Sequence, residues 1–195
     1  MKKLLDRIFI DGLGGMAQGL FATLIIGTII QQIGLFMGGG TGDLIYELGK
    51  IAAGLTGAGI GVGVARKLEA GHLVIVSAAV VGMIGAFAGK ILSGQVLVDG
   101  NLVLAGPGEP LGAFAAAYLA IEIGILISGK TKLDIILTPL VCIGTGSAVG
   151  LFVGPPISEF MLWLGSLINW GTEQQPFLMG IIVSVLMGMA LTLPI

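Results

Sequence analysis

Long apolar runs, broken by short polar punctuation, set the pattern of this chain. Stretches near the roughly 20 apolar residues needed to cross about 30 Å of hydrocarbon recur at 12–37, 44–65, 71–91, 111–128, 133–153 and 176–194. The pattern predicts an all-α polytopic integral membrane protein with about six transmembrane helices. Two connections are more than simple turns. In "GQVLVDGNLVLAGPGEP", apolar residues alternate around Asp99-Gly100, the dipeptide favoured at a type I′ turn, which predicts a short hairpin on the outer side. After Pro155 and Pro156, apolar residues at Ile157, Phe160, Met161, Leu164, Leu167 and Ile168 keep helical spacing while Ser158, Glu159, Ser166 and Asn169 fall off that face. With Trp163 and Trp170 at hand, this reads as an amphipathic helix lying in the outer interface.

Charge orients the spans. Of nine Lys and Arg, the seven at Lys2, Lys3, Arg7, Arg66, Lys67, Lys130 and Lys132 fall on one side, which predicts a cytoplasmic N-terminus. Lys50 lies inside the second span and Lys90 at the end of the third. The first apolar stretch runs on to about Met37, too long for the core of a secretory signal, so it is expected to stay in place as a span. Composition agrees: the chain is 55% hydrophobic and only 10% charged, against roughly 25% charged in a soluble domain. Its mean hydropathy is +1.07. Cys142 is the only cysteine, which excludes an intrachain disulfide and a multi-cysteine metal site.

Thirty-five glycines would weaken soluble helices, but in lipid small residues let backbones approach. Packing ridges are expected at Gly15, Gly19, Thr23 and Gly27, at Ala53, Gly57 and Gly61, at Gly146, Gly150 and Gly154, and at Gly180, Ser184 and Gly188. A weak echo offset by 116 residues pairs Gly34 with Gly150 and Leu48 with Leu164, and carries no weight here. The run from Gly124 to Gly129-Lys130-Thr131 matches a phosphate-binding loop in form. Its intervening residues are the tail of a span rather than a loop between strand and helix, which argues against nucleotide binding.

Polar groups inside or beside the spans are the functional candidates. Glu122 shares a helix face with Tyr118, Ala115 and Leu111, and an intramembrane carboxylate must be paired, wet or protonated. Either it lines a polar cavity, or it lies near the inner interface, where it snorkels or pairs with a lysine such as Lys130. Glu109 sits between Gly106, Pro107, Gly108 and Pro110, which cannot continue a regular helix. Irregular backbone at membrane depth persists only where it is buried in protein or lines a water-filled cavity. A carboxylate there can accept two hydroxyl hydrogen bonds at once, the geometry a sugar offers; the competing reading is an exposed helix cap. A nearby helix N-terminus favours its ionised form. His72, in a cytoplasmic loop, is a further candidate, and Gln18, Gln31 and Gln32 need partners across helices.

The segments "IFIDGLGGMAQGLFATLIIGTIIQQIG", "GPGEPLGAFAAAYLAIEIG", "VGPPISEFM" and "NWGTEQQPFLMGIIVSVLMGM" resemble the membrane subunit IIC of the bacterial phosphoenolpyruvate-dependent sugar phosphotransferase system. The likeness is greatest to the branch that includes membrane-bound toxin-regulator-like proteins, and it covers essentially the whole chain. It implies a multi-pass protein of the bacterial cytoplasmic (inner) membrane, expected as a homodimer in the lipid bilayer, that carries a sugar and works with IIB and IIA partners. It implies no cofactor, no metal, no nucleic acid and no phosphoenzyme, so no catalytic residue is expected in this chain. Gly106-Pro107-Gly108-Glu109-Pro110 is similar to the Gly-Ile-x-Glu-Pro motif of such subunits, with Pro107 where an aliphatic residue is usual. The substrate-binding set expected from it is Glu109, Gly106, Gly108 and Pro110, with Glu122 and His72 as additional candidates. Family members are longer, so residues 1–195 are expected to be a single membrane domain from the N-terminal part of a larger permease. Other readings are a membrane-bound sensor that regulates gene expression without transport, and an ion-coupled transporter with Glu122 as proton carrier.

Overall fold

The computed structural model describes residues 6–98, 100–172, 179–181, 183–185 and 188. Among the described residues it is all-α apart from one two-stranded hairpin. Helix α1 runs from Arg7 to Met37 with wider, π-type turns at Arg7–Gly12 and Phe21–Ile25. Gly38 and Gly39, with φ of 62° and 65°, turn the chain back into α2 (Gly39–Gly54). Only glycine adopts such angles without strain. Helix α3 (Thr56–Lys67) continues α2 after a bend of 49° at Leu55. Then come α4 (His72–Ala86), the short α5 (Ala88–Leu92), strands β1 (Leu97–Val98) and β2 (Asn101–Leu102), α6 (Pro110–Ile127) and α7 (Asp134–Thr172). The strands pair antiparallel, Leu97 with Leu102 and Val98 with Asn101. Asp99, in the expected turn, lies outside the described residues.

Among the described residues three helices, α1, α6 and α7, are long and apolar enough to cross a membrane, or up to four when the bent α2–α3 pair is one span. This is a coarser picture than six spans, and two departures explain part of it. The expected span at 71–91 is interrupted at Phe87, whose ψ of 10° ends α4. The Ala86 carbonyl at that break accepts the N–H of Glu109 at 2.8 Å, so a contact from distant sequence fixes the interruption. The expected stop at Pro155-Pro156 does not occur: α7 runs through Pro139, Pro155 and Pro156, and the amphipathic segment is its continuation rather than a separate helix. Prolines remove helical N–H donors, but side-to-side packing holds this stretch. A methyl group at Gly154 would stand 2.6 Å from the Ala88 Cβ, so α7 and α5 touch there. The expected span at 176–194 lies largely outside the described residues.

The core gathers Met16 from α1, Ile60 and Val64 from α3, Val74 and Ala78 from α4, and Ala113, Ala117 and Ile121 from α6. Small residues bring these helices together. A methyl group at Gly15 would stand 2.6 Å from the Gly63 carbonyl oxygen, and one at Gly57 2.6 Å from that of Gly82. The ridges expected on the first, second and fifth segments are therefore contact lines. At Gly180 and Gly188 an added methyl meets nothing within 4 Å among the described residues. Large apolar side chains point outward, Phe36 at 90% and Phe152 at 83% exposure. A surface of that kind suits hydrocarbon, where close packing and internal hydrogen bonds hold helices together.

Candidate functional site

Glu109 is the last residue before α6, in extended backbone with φ −90° and ψ 110°, and Pro110 opens the helix. Proline fits that first position because its missing N–H would find no helical partner there. The Glu109 side chain makes no capping hydrogen bond. Its backbone is held instead: the Glu109 N–H donates to Ala86 O at 2.8 Å, and its carbonyl accepts from Ala113 N at 3.0 Å. Gly108 passes so close to the end of α4 that a Cβ would lie 2.7 Å from the Ala86 Cβ. Its φ of 73°, like the 85° of Gly106, belongs to the left-handed region that favours glycine.

The carboxyl group thus left free lines a cavity of about 580 Å³. Four pieces of chain build it: the α4–α5 junction with Ala86, Gly89 and Lys90, the turn with Ser93 and Gln95, the loop from Ala105 to Glu109, and Pro155, Ser158, Glu159 and Leu162 of α7. The volume is within the range of small-molecule sites. Lys90 Nζ donates to Ala105 O at 3.1 Å and stands 5.4 Å from the Phe87 ring centre. Burial pushes the Glu109 carboxyl above the usual carboxylate range, and the Lys90 charge partly opposes this. The lining combines two carboxylates, an ammonium, two hydroxyls and an amide over apolar helix surface. Such a set can exchange several hydrogen bonds with a polyhydroxylated molecule while the apolar wall packs against its C–H faces.

Of the residues singled out in the sequence, Gly106, Gly108 and Glu109 line this cavity, and Pro110 follows directly. Glu122 does not. It lies 13 residues further along α6, about 20 Å at helical rise, and its partner is Arg7 rather than Lys130. Arg7 Nε donates to Glu122 Oε1 at 2.6 Å and Nη2 to Oε2 at 3.4 Å. The two side chains are 40% and 32% exposed. His72 opens α4 at the end away from Ala86 and is exposed. Lys90, Ser158 and Glu159 are lining residues that motif reading passed over. Two signals pointed to this region: Lys90 is a basic residue away from the seven that cluster on one side, and Ser158 and Glu159 follow a second glycine-proline stretch, Gly154-Pro155-Pro156.

The apparent phosphate loop is closed to that use. The Gly129 N–H donates to Asp134 Oδ1 at 2.9 Å, and the same oxygen accepts from the Thr138 hydroxyl at 2.6 Å. An acidic side chain thus takes the amide that a phosphate would need. Among the described residues no group of three or more His, Cys, Asp or Glu is placed to hold a metal ion.

No curated protein and no solved structure matches the chain. The family described as phosphotransferase system, EIIC, matches over residues 10–195, which includes every element described above except the first turn of α1. The chain belongs to the phosphotransferase system EIIC family.

Proposed function

We propose that the cavity headed by Glu109 binds a sugar, and that the chain carries this sugar across the bacterial cytoplasmic membrane while a IIB partner phosphorylates it at the cytoplasmic side. The observation that carries the reading is a carboxylate at a helix N-terminus that caps nothing and instead faces a polar cavity of about 580 Å³. An ionised carboxylate accepts hydroxyl hydrogen bonds without donating any, and charge-assisted bonds of this kind are the strong ones. Glu109 is the main hydroxyl acceptor. Glu159 and Ser158 on α7 close on the sugar from the opposite wall, and Lys90 supplies a donor. Gly106 and Gly108 shape the loop and Pro110 sets the helix direction, while Glu122 and His72 lie away from this cavity.

In this scheme the chain contributes orientation. The phosphoryl group comes from the partner, and holding the acceptor hydroxyl in place lowers the entropic part of the barrier. The protein spans the membrane about six times with its N-terminus in the cytoplasm and works as a homodimer with IIB and IIA. The test is Glu109→Gln in the full-length protein, assayed as phosphoenolpyruvate-dependent sugar phosphorylation by membranes supplied with the IIA and IIB partners. Loss of about 2–3 kcal/mol of charged hydrogen bonding predicts a drop of roughly 30- to 150-fold. Unchanged phosphorylation across a sugar panel removes Glu109 from the site.

A further inference from the structure

The Glu109 cavity has a neighbour. A second cavity of about 610 Å³ adjoins it, and Ala105, Gly106 and Pro107 belong to the walls of both. Its far wall is a face of α2, where Glu47, Lys50, Ile51 and Gly54 follow one another at helical spacing, with Gln31 of α1 beside them.

Three features set this cavity apart from a packing defect. The first is its charge. Glu47 Oε1 stands 3.7 Å from Lys50 Nζ, with both side chains more than half exposed at 60% and 65%. Charged groups on a span are costly in hydrocarbon unless they pair and face water or protein, so their presence points to a wet, functional surface. The second is the backbone. Gly54 and Leu55, at the 49° bend between α2 and α3, line the same space. Interrupted helices in transporters gather around ligand sites, because irregular backbone at membrane depth needs a polar cavity. The third is the shared wall. Gly106 and Gly108 flank Pro107 with φ of 85° and 73°, and a methyl group at Gly106 would meet nothing within 4 Å. Two hydrogen bonds hold its ends, Lys90 Nζ to Ala105 O at 3.1 Å and Glu109 N to Ala86 O at 2.8 Å.

We propose that this second cavity is a second sugar site, and that the Ala105–Pro107 segment is the partition across which the ligand passes to Glu109. The proposal rests on the reading of the Glu109 cavity as a sugar site. The lining fixes the ligand class. A carboxylate and an ammonium in one pair leave no net charge to attract an ion. Together with the Gln31 amide they offer separated acceptors and donors, which suits a neutral polyhydroxylated molecule. Passage needs the segment to move about the glycine dihedrals on either side of Pro107, with release of the Lys90 bond to Ala105 while the Glu109 bond to Ala86 anchors the other end.

The test is equilibrium dialysis of radiolabelled sugar against the full-length protein in lipid nanodiscs. A panel of sugars is first screened on the wild type. Two sugars per chain are expected in the wild type and one in Glu109→Gln. Glu47→Gln/Lys50→Gln, which removes the pair together and strands neither charge, is expected to bind one, with the Glu109-dependent affinity unchanged within about twofold. Gln31→Met keeps the side-chain volume and safeguards the test should the double variant fold poorly; it is expected to weaken the second class at least tenfold. One sugar per chain in the wild type, lost in Glu109→Gln, overturns the second site and leaves the first standing. A second class that Gln31→Met leaves at full strength also overturns it. A wild type that binds no sugar of the panel overturns both readings together.

Discussion

Replacing Gly108 by alanine would place a methyl group 2.7 Å from the Ala86 Cβ and 2.8 Å from the Ala86 carbonyl oxygen. That oxygen already accepts the Glu109 N–H, so the crowding falls on the bond that positions the candidate ligand. An alanine at a φ of 73° costs about 1–2 kcal/mol in left-handed strain, and overpacking adds about 1–3 kcal/mol. The easiest relief is for the loop to lift from α4, breaking the Glu109 bond and moving its carboxylate. Sugar affinity is then expected to fall at least tenfold, since about 1.4 kcal/mol corresponds to tenfold, and the thermal midpoint to fall with it. Gly106→Ala separates the two effects. Its φ of 85° carries similar strain, but nothing lies within 4 Å of the added methyl. Its affinity should stay within about threefold, which corresponds to about 0.7 kcal/mol. The assay is equilibrium sugar binding with thermal unfolding in the same detergent or nanodisc. Equal losses in the two variants would refute the reasoning, because contact with Ala86 would then contribute nothing.

Other consequences are open to measurement. Arg7→Gln and Glu122→Gln should each lower the thermal midpoint. Their double-mutant cycle should show a coupling of about 1 kcal/mol, above the median for exposed pairs because both side chains are more than half covered; additivity within about 0.3 kcal/mol would deny the pair any role. Gly19→Ala puts a methyl group 2.6 Å from the Ile60 N and should destabilise by about 1–3 kcal/mol. Gly14→Ala meets nothing within 4 Å and should be neutral or stabilising by up to about 1 kcal/mol, and the same unfolding curves report both. Sugar binding should also depend on pH. The ionised Glu109 is the better acceptor, so binding is present above its raised pKa and lost as pH falls through it. Lys90→Met removes the opposing charge and should move that midpoint upward; a downward move or none would contradict the assignment.

The parts of this site that were legible in the sequence are those governed by local rules. Gly106 and Gly108 beside Glu109-Pro110 announce an interrupted backbone, because φ above zero needs glycine and the first helical position tolerates proline. The ridges at Gly15, Gly57 and Gly154 were legible for a similar reason, since helical spacing puts small residues on one line. What escaped was set by contacts between distant residues. Arg7 and Glu122 lie 115 residues apart, so only the fold reveals their pair. The break at Phe87 depends on a hydrogen bond from Glu109 to Ala86. Pro155 and Pro156 speak locally for a helix end, yet packing of Gly154 on Ala88 carries α7 through them. That override is also what brings Ser158 and Glu159 to the cavity, where reading them as the polar face of a separate interfacial helix had placed them away from it.

The proposed sugar position can be tested directly at Ser158, which lines the cavity from α7. Cys142, the only cysteine of residues 1–195, is buried, and a clean background is made by replacing it and every other cysteine of the full-length protein by alanine. Ser158→Cys is then labelled with a maleimide in the presence and absence of saturating sugar, with Ser166→Cys, exposed further along α7, as the reference. The expected result is labelling at 158 slowed at least tenfold by sugar, unchanged labelling at 166, and loss of the protection when Glu109→Gln is added. Full-speed labelling at 158 while the protein demonstrably holds its sugar would place the ligand elsewhere and contradict a site built on Glu109.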